Sequence, residues 1–150
     1  EKLYELAIKY CGKDQNKKVE IQSTHIPLIE NIDSLWKESS LNKASSTITI
    51  SQERSKQGDF FAIPIVDDSM YPAIWKNDIA IIQKETNFQN GNIVLVGLPD
   101  HSIRLRKLKE LKENLLFQPL NTNYEPTLYS ISLKSTIPIF GILKELQRTF

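Results

Sequence analysis

The sequence predicts a mainly β protein built around a folded antiparallel sheet, preceded by a short N-terminal helix. From Phe60 onward, short apolar runs rich in β-branched residues recur, as expected for repeated strands. Turn signals separate several of them, at Asn90-Gly91, Pro99-Asp100 and Glu113-Asn114. Apolar residues at helical spacing occur over residues 2–10. The chain is therefore expected to fold as a sheet with partly barrel-like curvature.

The amino-acid composition is that expected for a soluble globular domain. With 150 residues the chain is long enough to bury one core, and its 40% hydrophobic and 25% charged content is ordinary for a soluble globular domain. The net charge of +1 gives no field that favours nucleic acid or a membrane surface. The single cysteine, Cys11, excludes an internal disulfide framework and fits a reducing, cytoplasmic location. No apolar run approaches the ~20 residues of a membrane helix, so no membrane partner is expected.

The first elements are short and polar. Leu3, Leu6, Ala7 and Tyr10 predict a helix, and Gly12 is a plausible end for it. The polar stretch 13–18 reads as a linker, and the start on Glu1 rather than Met suggests a fragment of a longer protein. We therefore expect residues 1–22 to be a helix and linker, and residues 23–150 to form the main domain.

Strands are predicted for the rest of the chain. Residues 25–29 form a short apolar segment, and residues 33–58 read as a long excursion containing one strand at 47–50. Period-two patterns and apolar runs then predict seven strands. Their ranges are 60–66, 78–83, 92–98, 102–108, 114–119, 128–133 and 137–144.

A serine follows the first of these strands in the run Val66-Asp67-Asp68-Ser69-Met70-Tyr71-Pro72. A serine hydroxyl is a weak nucleophile and needs a neighbouring base. A lysine can serve if burial lowers its pKa enough to leave it neutral, and backbone amides at a tight turn can hold the oxyanion. The alternative is an ordinary turn from a strand into a helix.

The Ser69-Met70-x-Pro72 step resembles the nucleophile corner of the Ser/Lys self-cleaving repressors, the S24 family that includes LexA and the phage CI-type repressors. Further stretches resemble that family in order and spacing, from about residue 60 to 146. They are 77–82, 90–96, 105–108, 120–126 and 139–143. The resemblance implies a LexA/signal-peptidase-like sheet and a peptidase-type site in which Ser69 has the nucleophile position.

Two departures concern the residues of that site. Arg106 occupies the position of the family's catalytic lysine, and arginine keeps its charge in proteins, so it cannot act as a neutral base. Lys107 is adjacent and is the alternative base, but alternation along a strand turns it away from Ser69 unless a bulge intervenes. Asp67 stands where the family usually has glycine; it is expected either to pair with Arg106 or to point to solvent.

A third departure concerns the bond to be cut. The family cleaves an Ala-Gly or Cys-Gly bond upstream of its serine, after a Val/Leu-Pro segment. The equivalent stretch here, counted from Pro27, is residues 32–35, which contains neither pair. Cys11-Gly12 lies too far upstream and reads as a helix end.

The resemblance implies a function as the C-terminal oligomerisation domain of a (pro)phage-type transcriptional repressor. Its autopeptidase site would be degenerate and inactive. The implied partners are a second copy, operator DNA through an N-terminal domain of which residues 1–22 would be the end, and an antirepressor protein. Residues 128–146 are expected to contribute to the dimer. No cofactor or metal is expected, because His25 and His101 lack ligand spacing.

Two rival functions remain open at this point. One is an active self-cleaving Ser/Lys peptidase that uses Ser69 and Lys107. The other is a type I signal peptidase, which shares the Ser-Met-x-Pro step but would need a membrane anchor.

Overall fold

One sheet of nine strands organises the part of the chain that the structure describes. The structure is a computed structural model, and it describes residues 23–37, 46–85 and 87–149. The predicted helix over residues 2–10 and the linker after it lie outside the described residues. The strands are β1 Ser23–Leu28, β2 Ser46–Ser51, β3 Phe60–Pro64, β4 Ile79–Gln83, β5 Ile93–Gly97, β6 Ile103–Glu110, β7 Asn114–Gln118, β8 Thr127–Ser130 and β9 Ile139–Gln147.

The strands follow the order β2-β1-β3-β4-β9-β5-β6-β7-β8 across the sheet. Neighbours pair antiparallel except β1 and β3, which run parallel where Leu28 lies opposite Ala62. The mainly antiparallel fold predicted from the sequence is confirmed. β9 lies between β4 and β5, so the end of the chain closes the middle of the sheet.

Apolar strand centres supply most of the core. Phe61 and Ile63 of β3, Ile82 of β4 and Leu95 of β5 are essentially inaccessible to water and belong to one buried cluster. Two further clusters cover the regions around β7 and around the pairing of β1 with β2. A strand that is buried on both faces reads as a continuous apolar run rather than an alternating one, which is why these strands were predictable.

Two predicted elements differ from the structure. The strand predicted at 128–133 ends at Ser130, and residues Ile131–Thr136 form a 3-10 helix instead. Ser130 caps that helix with its hydroxyl, which accepts a hydrogen bond from the Ser132 amide; such capping competes with strand pairing. The excursion at 33–58 contains more than its predicted strand, because it also holds a 3-10 helix at Ile32–Trp36 and one helical turn at Gln52–Ser55.

The apolar residues near the chain end divide between core and surface. Ile137 and Ile142 are buried, and Ile139 packs against the same cluster. Ile131 and Leu133 of the 3-10 helix and Leu128 of β8 remain exposed. The segment 128–146 thus supplies side chains to the core and also an exposed apolar set, and the exposed set is the part that remains available for the expected dimer contact. No helix among the described residues is long and apolar enough to cross a membrane.

Candidate functional site

Ser69 lies in a tight turn rather than at the very end of a strand. β3 ends at Pro64, two residues earlier than predicted, and the chain then folds back on itself. The Ile65 amide donates to the Asp78 carbonyl and the Asn77 amide to the Ile65 carbonyl, which ties the two ends of the turn together. Ser69 is held inside this closed turn with an exposed fraction of 1%.

The hydroxyl of Ser69 is fully engaged in hydrogen bonds. Its oxygen accepts a hydrogen bond of 2.8 Å from Arg106 Nη1 and donates one of 2.8 Å to Asp67 Oδ1. The Ser69 amide also donates to Asp67 Oδ1, at 3.1 Å. Asp67 thus accepts the hydrogen bond of the hydroxyl, as a catalytic base would. Arg106 donates to a lone pair of the same oxygen.

Asp67 forms its ion pair with Arg104 rather than with Arg106. Arg104 Nε donates to Asp67 Oδ2 at 2.9 Å, and both side chains are about one quarter exposed. The sequence left two alternatives for Asp67, a pair with Arg106 or a side chain in solvent, and the ion pair with Arg104 is neither of them. Arg104 and Arg106 project from the same face of β6, because side chains alternate along a strand. That parity is the signal in the sequence that marks Arg104 as a residue on the same side as Arg106.

The register of β6 brings Arg106 to the serine and leaves Lys107 outside. Arg106 lies opposite Val94 and Lys107 opposite Ile93 in an antiparallel pairing that runs without interruption. No bulge therefore reverses the alternation at this point, and the Lys107 side chain is exposed. The residue beside the Ser69 hydroxyl is an arginine.

Burial makes Arg106 unusual for an arginine. It is 5% exposed, and Nη1 donates a second hydrogen bond to the carbonyl of Leu105. Burial lowers the pKa of the Arg106 guanidinium; attraction to Asp67 opposes that shift and the nearby charge of Arg104 adds to it. Arginine keeps its charge in proteins, so the group remains a guanidinium. Nε of Arg106 has no hydrogen-bond partner among the described residues.

The segment at 120–126 is hydrogen-bonded to the serine turn. The Asn121 amide donates to the Ser69 carbonyl at 2.9 Å, and its Nδ2 donates to the Asp68 carbonyl at 2.9 Å. The Tyr124 hydroxyl donates to Asp68 Oδ1 at 2.7 Å, and this bond raises the pKa of the Tyr124 phenol. The sequence marked this segment by resemblance alone and gave these residues no role.

The stretch equivalent to the family's cleavage region is folded into the 3-10 helix Ile32–Trp36. Asn31 caps it with a side chain that accepts from the Asp33 amide, and Ile32 and Leu35 are buried in the main core. Ile32 lines a cavity of about 20 Å³ that Ser69 also borders. That space holds roughly one water molecule. Because residues 32–36 are helical, this backbone does not lie extended across the serine.

Trp36 fixes the end of that helix. Its Nε1 donates to the His101 carbonyl, and its ring meets Phe140 edge-on with centroids 5.3 Å apart. A side chain added at Gly97 would collide with the Trp36 ring, so the glycine permits the close approach. The 3-10 helix Ile32–Trp36 is therefore anchored at both ends, by the Asn31 cap and by the Trp36 side chain.

A second charged pair supports the turn. Asp78 is buried, and Arg148 donates to both of its oxygens at 2.6 Å. The hydrogen bond from Arg148 is the main cause that lowers the pKa of Asp78, while burial acts in the opposite direction. The Trp75 amide also donates to Asp78, and the Arg148 guanidinium stacks on the Trp75 ring at 4.2 Å. These contacts link the turn to the end of β9.

Among the described residues, no group of three or more His, Cys, Asp or Glu side chains could hold a metal ion. His25 instead shares a hydrogen bond with Thr49. The chemistry open to the site is that of a buried serine between a carboxylate and a guanidinium.

A buried serine in a tight turn after β3, packed against a basic residue of β6, is the arrangement of a Ser/Lys-peptidase-like domain. The family model described as "Peptidase S24-like" matches residues 24–144, and the chain belongs to this family.

Curated relatives of the chain are repressors. It is 24% identical over 131 residues to the LexA repressor of Pelagibacter ubique, which covers 87% of this chain and 57% of that protein. It is 26% identical over 110 residues to the LexA repressor of Gluconacetobacter diazotrophicus, covering 73% and 44%. The LexA repressor of Gluconobacter oxydans is 26% identical over 109 residues, covering 72% and 46%. The chain spans about half the length of these relatives.

Proposed function

We propose that this chain is the oligomerisation domain of a (pro)phage-type transcriptional repressor whose Ser/Lys self-cleavage site is inactive. The observation that carries the proposal is the hydrogen bond of 2.8 Å from Arg106 to the Ser69 hydroxyl. A serine is activated when a neutral base removes its proton. A guanidinium stays charged and has no acceptor, so Arg106 is a donor to Ser69 and not its base.

The other contacts of the serine support inactivity. The Ser69 proton is directed to Asp67, which is itself neutralised by Arg104. The alternative base, Lys107, is exposed and lies on the uninterrupted strand one position beyond Arg106. Among the described residues, neither Arg106 nor Lys107 stands as a neutral base beside the Ser69 hydroxyl.

The upstream segment supports the same conclusion from the substrate side. Residues 32–35 lack an Ala-Gly or Cys-Gly bond and are folded as a 3-10 helix with two buried anchors, Ile32 and Leu35. Opening this segment into the serine site would expose both anchors and break the Asn31 cap. Three independent observations therefore support inactivity. An arginine replaces the catalytic lysine, the cleavable bond is missing, and residues 32–35 are folded as a helix.

Repression is proposed from the relatives. They are LexA repressors about twice as long as the matched part, so the DNA-binding function would belong to a portion outside the match. A dimer would bring two DNA-binding heads to both half-sites at high effective concentration. Because cleavage would not release the DNA, an antirepressor protein is proposed as the inducing partner.

The test uses the protein expressed from its complete gene. Incubation at alkaline pH followed by gel electrophoresis is expected to leave it intact, with Ser69→Ala as the matched control. Sedimentation equilibrium of the same protein is expected to give a homodimer. Fragments that depend on Ser69 would contradict the inactive site, and a strict monomer would contradict the oligomerisation role.

A further inference from the structure

An open pocket lies beside the serine turn, on the side of Tyr71 and Trp75. Its volume is about 560 Å³, within the range of specific ligand sites. Three aromatic side chains line it, Tyr71, Trp75 and Tyr124, together with Val66. Tyr71, Trp75 and Val66 are 51%, 43% and 44% exposed. Large exposed apolar side chains grouped in this way mark an interaction site rather than ordinary surface.

Two of the three aromatic walls, Trp75 and Tyr124, are held by hydrogen bonds. The Trp75 Nε1 donates to the Pro72 carbonyl at 2.9 Å, so the exposed ring has no polar group left to satisfy. The Tyr124 hydroxyl is fixed on Asp68 at 2.7 Å. Rigid aromatic side chains lose little conformational entropy on binding, which suits them as anchors for a partner.

Two carboxylates and one ammonium border the pocket. Asp67 and Asp68 both border it; Asp67 is neutralised by Arg104, and the Asp68 side chain is exposed with its carboxylate on Tyr124. Lys76 also borders the pocket, but its side chain is exposed and its flexible stem lets the ammonium extend into water. Aromatic faces attract cations through their quadrupoles, and an adjacent carboxylate adds to that attraction.

We propose that this pocket binds a basic side chain, an arginine or a lysine, of a partner protein. The chain already contains one contact of this type next to the pocket, where Arg148 stacks on Trp75 at 4.2 Å and binds Asp78. The wide rim of exposed rings fits a protein surface better than a small ion. The proposal does not depend on whether Ser69 can cut.

The test is an NMR titration of the Trp75 indole resonance, assigned with Trp75→Phe. The probe is acetyl-Ala-Arg-Ala-amide, and its neutral isostere with citrulline in place of arginine is the matched control. Saturable shifts with the arginine peptide and about two- to fivefold weaker binding of the citrulline peptide are expected, since a cation–π contact at an exposed site contributes about that factor. Equal binding of the two peptides, or no shift, would overturn the proposal.

Two substitutions are expected to change the affinity for the arginine peptide in opposite directions. Asp68→Asn is expected to weaken arginine-peptide binding, and Lys76→Gln is expected to strengthen it, because each changes the charge that faces the bound cation. Glu113→Gln, in the turn between β6 and β7, is the control and is expected to change nothing. If Lys76→Gln weakens binding of the arginine peptide, Lys76 does not repel the bound group as it would repel a cation, and the proposal fails. If Asp68→Asn dissociates a homodimer in sedimentation equilibrium, the occupant is a second copy, and the assignment to a partner protein fails.

Discussion

The Arg106 guanidinium donates to the Ser69 hydroxyl at 2.8 Å, and that hydroxyl in turn donates a hydrogen bond of 2.8 Å to Asp67 Oδ1. The serine therefore acts as a bridge between a buried cation and a half-buried anion. In a Ser/Lys site the same oxygen would face a neutral amine that accepts its proton. The geometry of the turn is compatible with a peptidase, whereas the chemistry of its neighbours is that of a structural network.

Removing the bridge is expected to destabilise the domain. Ser69→Ala deletes the acceptor of Arg106 Nη1 and leaves a buried donor short of one partner. The expected loss in unfolding free energy is about 1–3 kcal/mol, measured by urea denaturation. Ser23→Ala, at an exposed position at the start of β1, is the control and should cost little. A Ser69→Ala domain as stable as the parent would show that the network contributes nothing to folding.

The Asp78–Arg148 pair is expected to make stability depend on pH. The folded state lowers the pKa of Asp78 below its ordinary value near 3.9. Its contribution is therefore complete above about pH 5 and is lost as the pH falls through the lowered folded value. Asp78→Asn should cost about 2 kcal/mol at neutral pH, as expected for charge-assisted hydrogen bonds to a buried carboxylate.

The measurement for that pair is a series of denaturation curves from pH 7 to acid. The gap between the parent and Asp78→Asn should narrow on acidification below about pH 4. Glu113→Gln, at an exposed position, should follow the parent closely. A gap that stays constant across the whole range would mean that Asp78 does not titrate differently on folding.

The 3-10 helix before the serine is expected to be tightly fixed. Ile32→Ala removes a buried side chain that borders the small cavity at Ser69, and the expected cost is about 2–4 kcal/mol. Leu128→Ala, at a residue that is 56% exposed, is the matched control and should change the stability of the monomer by well under 1 kcal/mol. Thermal unfolding at low protein concentration compares the two. Similar small effects would show that residues 32–35 are not anchored by their burial.

The proposed dimer is expected to use β8 and the 3-10 helix after it. β8 is the outermost strand of the described sheet, and Leu128, Ile131 and Leu133 are exposed beside it. Leu133→Lys would place a charge in an apolar interface and should weaken dimerisation by about tenfold or more. Sedimentation equilibrium measures this, with Thr47→Lys on β2, at the opposite edge of the sheet, as the control. If Leu133→Lys leaves the dimer unchanged, the interface does not include Leu133 and lies on another surface.

Sequence patterns could predict the strands and the residue that faces the serine, because both depend on local period-two alternation. The fully apolar strands β3, β4 and β5 carried a strong signal, and strand parity was enough to choose Arg106 over Lys107. The 3-10 helix at Ile131–Thr136 was missed because its apolar residues also fit a strand, and a capping serine decided between the two.

Long-range pairing was the part that local patterns could not supply. Asp67 could in principle reach Arg104 or Arg106, and only the packing of the turn against β6 selects Arg104. Asp78 and Arg148 are separated by 70 positions, so their bidentate pair depends on β9 entering the sheet beside β4. The contact of Tyr124 with Asp68 has the same origin in the tertiary fold.

The most direct test of the central claim is a time course by intact-mass spectrometry of the protein from its complete gene. At about pH 10 a lysine with an ordinary pKa is partly neutral, so a lysine-based site would be active. The parent is expected to stay intact, like Ser69→Ala. Arg106→Lys is also expected to stay intact, because residues 32–35 still lack a cleavable pair. Fragments that form in the parent and disappear in Ser69→Ala would contradict the account and establish an active Ser/Lys peptidase.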